Sequence, residues 1–482
     1  MTEESGLKRG LSFYDAAAIV VGDMIGSGIF IVSADIARHV GTPAGLLAVW
    51  VVSGLMTIAG AMAYGELAAM MPHAGGQYVF MREAYGGLWA FLFGWTLLLV
   101  IQTGTIAAVA VAFARFGGVL WPALSANLWF GIRGVGLSGE RLGAIIVIAL
   151  LTWANLRGLN LGRMVQNLFT SAKLLSLALI VFLGLILAPK SAAISANFGS
   201  MKSFLGTGGL SIGALAAFGA AMVGGLFSAD AWATVTFTAA EVRNPGRDLP
   251  RALALGTGVV IALYVLTNFA YMFQLPVTPS PAAGLTMGPV FAAGIAHAQG
   301  DRVAAGAMRM IWGNAGATLT AILVMVSTFG CANGLIMTGA RVVYAMAIDG
   351  VFIAPAGRLN RAQVPGVALI IQGVWASILT LSGTYSELLD YVIFAQLLFY
   401  VLTVGAVFVL RRRLPDAPRP YRAWGYPAVP ALYIVAAALL MIDLLIVKPG
   451  YTWPGLLIVV TGVPVYRLVM NRRPATGTPA DS

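Results

Sequence analysis

Charge is scarce in this chain: Asp, Glu, Lys and Arg make up 10% of its 482 residues, against 59% hydrophobic residues and a mean hydropathy of +0.87. A water-soluble enzyme, a nucleic-acid binder and a disordered chain all need more polar surface than that, and are excluded. Cysteine is nearly absent. The lone Cys331 forms no internal disulfide, so the fold does not depend on an oxidising compartment. Histidine is almost as rare: His39, His73 and His297 fall in or beside expected loops and form no metal-ligand spacing. No Gly-x4-Gly-Lys-Ser/Thr string occurs. These absences argue against a membrane hydrolase and an ATP-driven pump, and no cofactor, metal or nucleic-acid partner is expected. The first ten residues, MTEESGLKRG, lack an apolar core followed by a cleavage site, and read as a retained cytosolic tail.

What is abundant is apolar sequence in helix-length runs. Crossing a bilayer core of about 30 Å takes roughly 20 apolar helical residues, which leaves room for about twelve spans. The runs cover approximately 13–36, 44–70, 88–113, 142–156, 165–187, 211–239, 253–273, 312–347, 367–381, 388–410, 429–447 and 453–468. The connections after even-numbered spans, with both tails, hold about twice the Lys and Arg of the others, among them Lys8, Arg157, Arg163, Arg358, Arg361, Arg411, Arg472 and Arg473. The bias puts both termini in the cytoplasm of a multi-pass inner-membrane protein. The net charge of +11 is mostly this topology signal.

Two runs break the apolar pattern. In the first span, residues 22–30 (GDMIGSGIF) place three glycines, a serine and an acid inside the helix; in the sixth, residues 224–232 (GGLFSADAW) do something similar. Glycine costs about 1 kcal/mol relative to alanine inside a helix, so clusters five spans apart point to unwinding in an inverted repeat. Close helix packing through small residues is the alternative. Unwound backbone in hydrocarbon must find partners, and a zwitterion supplies both donors and acceptors. Amides of Gly26, Ser27 and Gly28, at the start of an outer half-helix, suit a carboxylate. Carbonyls from Asp23 to Ile25, and around Phe227 and Ser228, suit an ammonium. Phe227 is either a gate over the ligand or ordinary packing.

Charges at membrane depth cost at least about 2.5 kcal/mol unless paired or hydrated. Lys173 lies about 15 Å along its helix from Arg163, and reads either as a fixed cation in the bundle or as a structural partner of a carboxylate or helix-end carbonyls. Asp230 binds a cationic substrate group, holds a proton, or pairs with Lys173. Glu66, Arg82, Glu83 and Glu241 fall near helix ends, where they lock loops.

The strings GSGIF (26–30), YGEL (64–67), GGQY (75–78), EVRNPGRDLP (241–250) and FGCANG (329–334) resemble the amino acid/polyamine/organocation permeases, most closely the L-type amino acid transporters and their bacterial relatives. The resemblance implies an all-α membrane protein of about twelve transmembrane helices. It comprises a cytoplasmic tail (1–12), a first repeat (13–190), an inverted second repeat (205–411), two further helices (425–470) and a C-terminal tail (471–482), with helices 1 and 6 broken. It implies substrate binding by Gly26, Ser27, Gly28, Phe227, Ser228, Ala229 and Asp230, to which the freed helix-end carbonyls add Ile25, and a lysine, Lys173, in the place of a sodium ion beside Ser327 or Thr328. Asn333 matches an asparagine able to reach the pocket region.

Departures carry information too. Animal members have a cysteine after the third span for a heavy-chain disulfide, whereas 114–141 has none, so no disulfide-linked partner is expected. Asp23 replaces a small or amide residue, with no assignable role. Asp230 followed by Trp232 is similar to members accepting cationic as well as neutral substrates, and Ala229 and Ala233 leave side-chain room. The expectation is an amino acid transporter in the lipid bilayer, exchanging substrates independently of sodium by alternating access. The rivals are proton-coupled symport and a non-transporting amino acid receptor on the same fold.

Overall fold

Ser12 starts the first membrane helix with a reciprocal cap: its hydroxyl accepts from the Asp15 amide (3.3 Å) while the Asp15 carboxylate accepts from the Ser12 amide (2.9 Å). The computed structural model describes residues 7, 9–124, 126–132, 135–187, 189–206, 211–280, 287–381 and 385–471. Lys8, Arg472, Arg473 and the side chain of Arg163 thus lie outside the described residues. Among the described residues, eleven helices are long and apolar enough to cross a bilayer. They are α1 (Phe13–Ile31), α2 (Pro43–Met70), α3 (Gly87–Gly117), α4 (Gly139–Leu156), α5 (Met164–Leu187), α6 (Ile212–Glu241), α7 (Pro245–Gln274), α8 (Val303–Ile348), α10 (Val392–Arg413), α11 (Ala428–Val447) and α12 (Thr452–Val469), with a shorter apolar helix, α9 (Gly366–Leu379), in sequence between α8 and α10. The protein is an all-α membrane protein. At 14 residues α9 spans about 21 Å, short of a full crossing.

The expected breaks are present, and one is displaced. In α1 the helix stops at Met24 and resumes at Gly28. In α6 it runs unbroken through Gly224 and Gly225 to Ser228, turns through Ala229–Ala231, and continues as a 3-10 helix, Trp232–Glu241. The glycine pair is packing, not hinge: a Cβ on Gly224 would collide with Val32, and one on Gly225 would press on Ser53. The reversal falls on Ala231, which adopts φ 66°, a left-handed conformation that alanine rarely takes. In α8, Trp312 and Gly313 leave helical geometry, so the crossing segment begins where the apolar run at 312 does. A two-stranded antiparallel hairpin, β1 (Leu128–Ile132) and β2 (Val135–Ser138), occupies the α3–α4 connection and was not foreseen.

The face on which α1 begins is called the inner face and the opposite one the outer face. Ion pairs gather at the inner face, where the sequence put Glu66, Arg82 and Glu241 near helix ends. Glu66 accepts from Arg411 at 2.6 and 2.8 Å and from the Ala423 amide at 2.7 Å. Arg82 donates to Asp349 at 2.6 Å, and Glu83 turns aside to Arg82. The 3-10 end of α6 is held twice: the Glu241 carbonyl accepts from the amides of Gly10 and Leu11, and its carboxylate from Arg341 of α8 at 2.8 Å. On the outer face Arg38, just past α1, reaches Asp301 at 2.6 Å.

Arg341 and Glu241 are 1% and 2% exposed. Removing one partner of a buried pair strands the other charge, which costs about 3–5 kcal/mol. Arg341→Met is therefore expected to lower the thermal unfolding midpoint of the detergent-solubilised protein sharply. An unchanged midpoint would show that the pair adds nothing to the fold.

Candidate functional site

Breaking α1 at mid-membrane frees carbonyls that no water can satisfy, and α5, α7 and α8 supply the donors. Lys173 of α5, fully buried, donates its ammonium to the carbonyls of Gly22 (2.5 Å) and Ile25 (2.9 Å). Ser327 of α8 donates to Ile25 and lies 3.2 Å from the Gly26 carbonyl. One turn inward Cys331 reaches the Asp23 carbonyl at 3.0 Å. From α7, the Tyr264 hydroxyl lies 2.8 Å from the Met24 carbonyl and 3.0 Å from that of Ser228, and so touches both breaks.

Of the alternatives for Lys173, the structure has helix-end carbonyls as its hydrogen-bond partners. Asp230 is not its partner: it accepts from Tyr400 of α10 at 2.6 Å. Thr328 does not join Ser327. One residue on, the helix turns it away, and its hydroxyl returns to Val324 of its own helix at 2.8 Å. Asn333 is likewise directed elsewhere, accepting from Asn155 of α4 (2.9 Å) and donating to the Gly162 carbonyl (3.2 Å).

Asn333 belongs to a ladder that also answers for Asp23. Gln166 of α5 donates to Asp23 at 2.9 Å while its own amide oxygen faces Asn333. The Thr234 hydroxyl, on the inner part of α6, donates to the other Asp23 oxygen at 2.7 Å. Asp23 thereby fastens α1 to α5 and to the inner part of α6.

The two breaks enclose a cavity of about 20 Å³. Gly26, Ser27, Gly28, Phe227, Ser228 and Asp230 line it, with Asp23, Thr105 and Val109 of α3, and Cys331. Ile25 and Ala229 do not. The Ile25 carbonyl is engaged by Lys173 and Ser327, and Ala229 is buried in the turn behind Ser228. A second cavity of about 20 Å³ lies on the far side of Asp230, among Trp232, Gln396, Tyr400 and Tyr433. Each holds about one water, so an amino acid fits only if the breaks move apart. A roomier cavity of about 600 Å³, lined by His297, Arg302 and Arg309, lies at the outer helix ends, away from the breaks.

Tyr264, Gln166, Thr234 and Tyr400 had no place in the sequence reading, and Cys331 entered it only as a lone cysteine and within the FGCANG string. A polar residue in an otherwise apolar run was the available signal for Gln166 and Tyr264. Nothing in the sequence tells which break a given hydroxyl serves.

A family model described as amino acid permease matches residues 11–465. The serine/threonine exchanger SteT of Bacillus subtilis (strain 168) is 30% identical over 478 residues, covering 98% of this chain and 99% of the relative. The human large neutral amino acids transporter small subunit 2 is 32% identical, covering 96% of this chain and 80% of the relative. The human b(0,+)-type amino acid transporter 1 is 30% identical, covering 97% and 89%.

A side chain at Gly28 would collide with Ser228 and fill the cavity. Gly28→Val is expected to abolish amino acid binding by the purified protein, which still folds but unfolds at a lower midpoint than the parent because its Cβ presses on the Ser228 backbone. An affinity within twofold of the parent would remove this turn from the binding site.

Proposed function

The chain belongs to the amino acid permease family, and from that premise we propose that it is a sodium-independent exchanger of neutral and cationic amino acids. The observation that carries the reading is Lys173. In broken-helix transporters, carbonyls at the end of an unwound half-helix are the groups that coordinate a coupling cation. Here the carbonyls of Gly22 and Ile25, with Ser327 beside them, already surround a covalently attached ammonium. An ion and an ammonium do not share one site. Exchange, in place of coupling to an ion gradient, accords with the relative named as a serine/threonine exchanger.

In this reading the turn 26–28 receives the substrate carboxylate, and Asp230 with the carbonyls around Phe227 receives the ammonium and the side chain. Asp230 borders both small cavities, and beyond it Trp232 stacks on Tyr400 (centroids 5.0 Å apart) and meets Tyr64 edge-on at 4.8 Å. A carboxylate backed by aromatic faces favours a cationic side chain. The repeats 13–190 and 205–411 would rock about this site to alternate its access. Both termini lie on the cytoplasmic side of the inner membrane. With no cysteine in 114–141 and Cys331 buried, the chain works without a disulfide-linked heavy chain.

Proteoliposome uptake tests the mechanism: labelled amino acid should enter only when amino acid is present inside, at the same rate in sodium and in choline. A strict sodium requirement sinks the reading of Lys173. Uptake driven by a pH gradient into empty vesicles would favour proton symport.

Asp230→Asn should weaken lysine or arginine relative to leucine by about 1.5–3 kcal/mol, the worth of a hydrogen bond to a charged group. Measured inhibition constants for the two classes decide it. Equal losses would place Asp230 on the shared α-ammonium.

A further inference from the structure

Away from the breaks, α4 and α9 splay to leave a recess of about 430 Å³, lined by Ala149, Thr152, Trp153, Leu156, Gly373 and Val374 among others. Lipid-facing apolar side chains need no explanation in a membrane protein, but a recess between two helices offers an acyl chain an apolar bed.

The charge at the inner end of the recess indicates which molecule lies there. Arg157 follows α4 directly and lies over the Trp153 ring at 4.6 Å. The α8–α9 connection, with Arg358 and Arg361, is tied to the same corner: Asn360 donates to the Leu156 carbonyl at 2.9 Å, and Ala362 packs beside Gly158. No Asp or Glu occurs in 141–229 or 350–386. Among the described residues, none of these three exposed arginines has an ion-pair partner.

We propose that the α4–α9 recess binds an anionic phospholipid of the inner-face leaflet. One acyl chain lies between the helices, and the phosphate meets Arg157 and Arg361. Basic pockets between membrane helices on the cytoplasmic side are the kind of surface that retains such headgroups.

Native mass spectrometry of the full chain, purified in detergent with equimolar phosphatidylglycerol and phosphatidylcholine, tests this. The parent should retain phosphatidylglycerol preferentially. Arg157→Gln and Arg361→Gln should each weaken retention about fivefold, at roughly 1 kcal/mol per basic residue. Arg412→Gln, on the same face, should not. Val374→Trp, which plugs the recess from its lipid side, should abolish retention with the arginines intact and leave exchange activity measurable. Equal retention of the two lipids, indifference to the arginine changes, or retention surviving Val374→Trp would each overturn the site. A dimer lost on Val374→Trp would assign the recess to a second copy instead.

Discussion

Backbone polar groups have no solvent in hydrocarbon, and the central architecture follows from how this chain meets that constraint after breaking two of its own helices. The carbonyls released between Gly22 and Gly26 are met by an ammonium from α5, hydroxyls from α7 and α8 and a thiol from α8. Each donor comes from a helix outside the broken pair. The breaks are therefore held open by the rest of the bundle, and one of the donors, Cys331 of α8, also lines the cavity between them. Lys173 is the strongest of these donors because it is charged, and two carbonyls of the α1 break replace part of its hydration.

The same constraint explains how much was legible in the sequence. Long apolar runs without charge have few alternatives to crossing a bilayer, so the spans could be located from composition to within several residues. The break in α1 was legible because three glycines, a serine and an aspartate gather within nine residues of an apolar helix. The break in α6 was legible as a region but not as a residue: the glycines that drew attention serve close approach to Val32 and Ser53, while the turn falls on Ala231, whose left-handed backbone is imposed by packing. Residue types in one run cannot distinguish a glycine that bends from a glycine that nestles.

Partnerships across the bundle were the least legible part. Asp23 looked like an unexplained substitution because its contacts, Gln166 and Thr234, are 143 and 211 residues away. Asn333 was placed near the pocket by resemblance, yet the geometry puts it in the ladder from Asn155 towards Asp23. Ser327 and Thr328 are neighbours in sequence with opposite destinations, and only the rotation of the helix decides which faces the break.

Tyr264 lies within hydrogen-bonding distance of the Met24 and Ser228 carbonyls, but a phenol carries a single hydrogen. It can serve the two broken helices only in turn. When either helix withdraws, the hydrogen stays with the carbonyl that remains, so the count of bonds that Tyr264 donates does not change. Tyr264 is thus a handhold that the two breaks share: it can keep hold of one broken helix while letting go of the other.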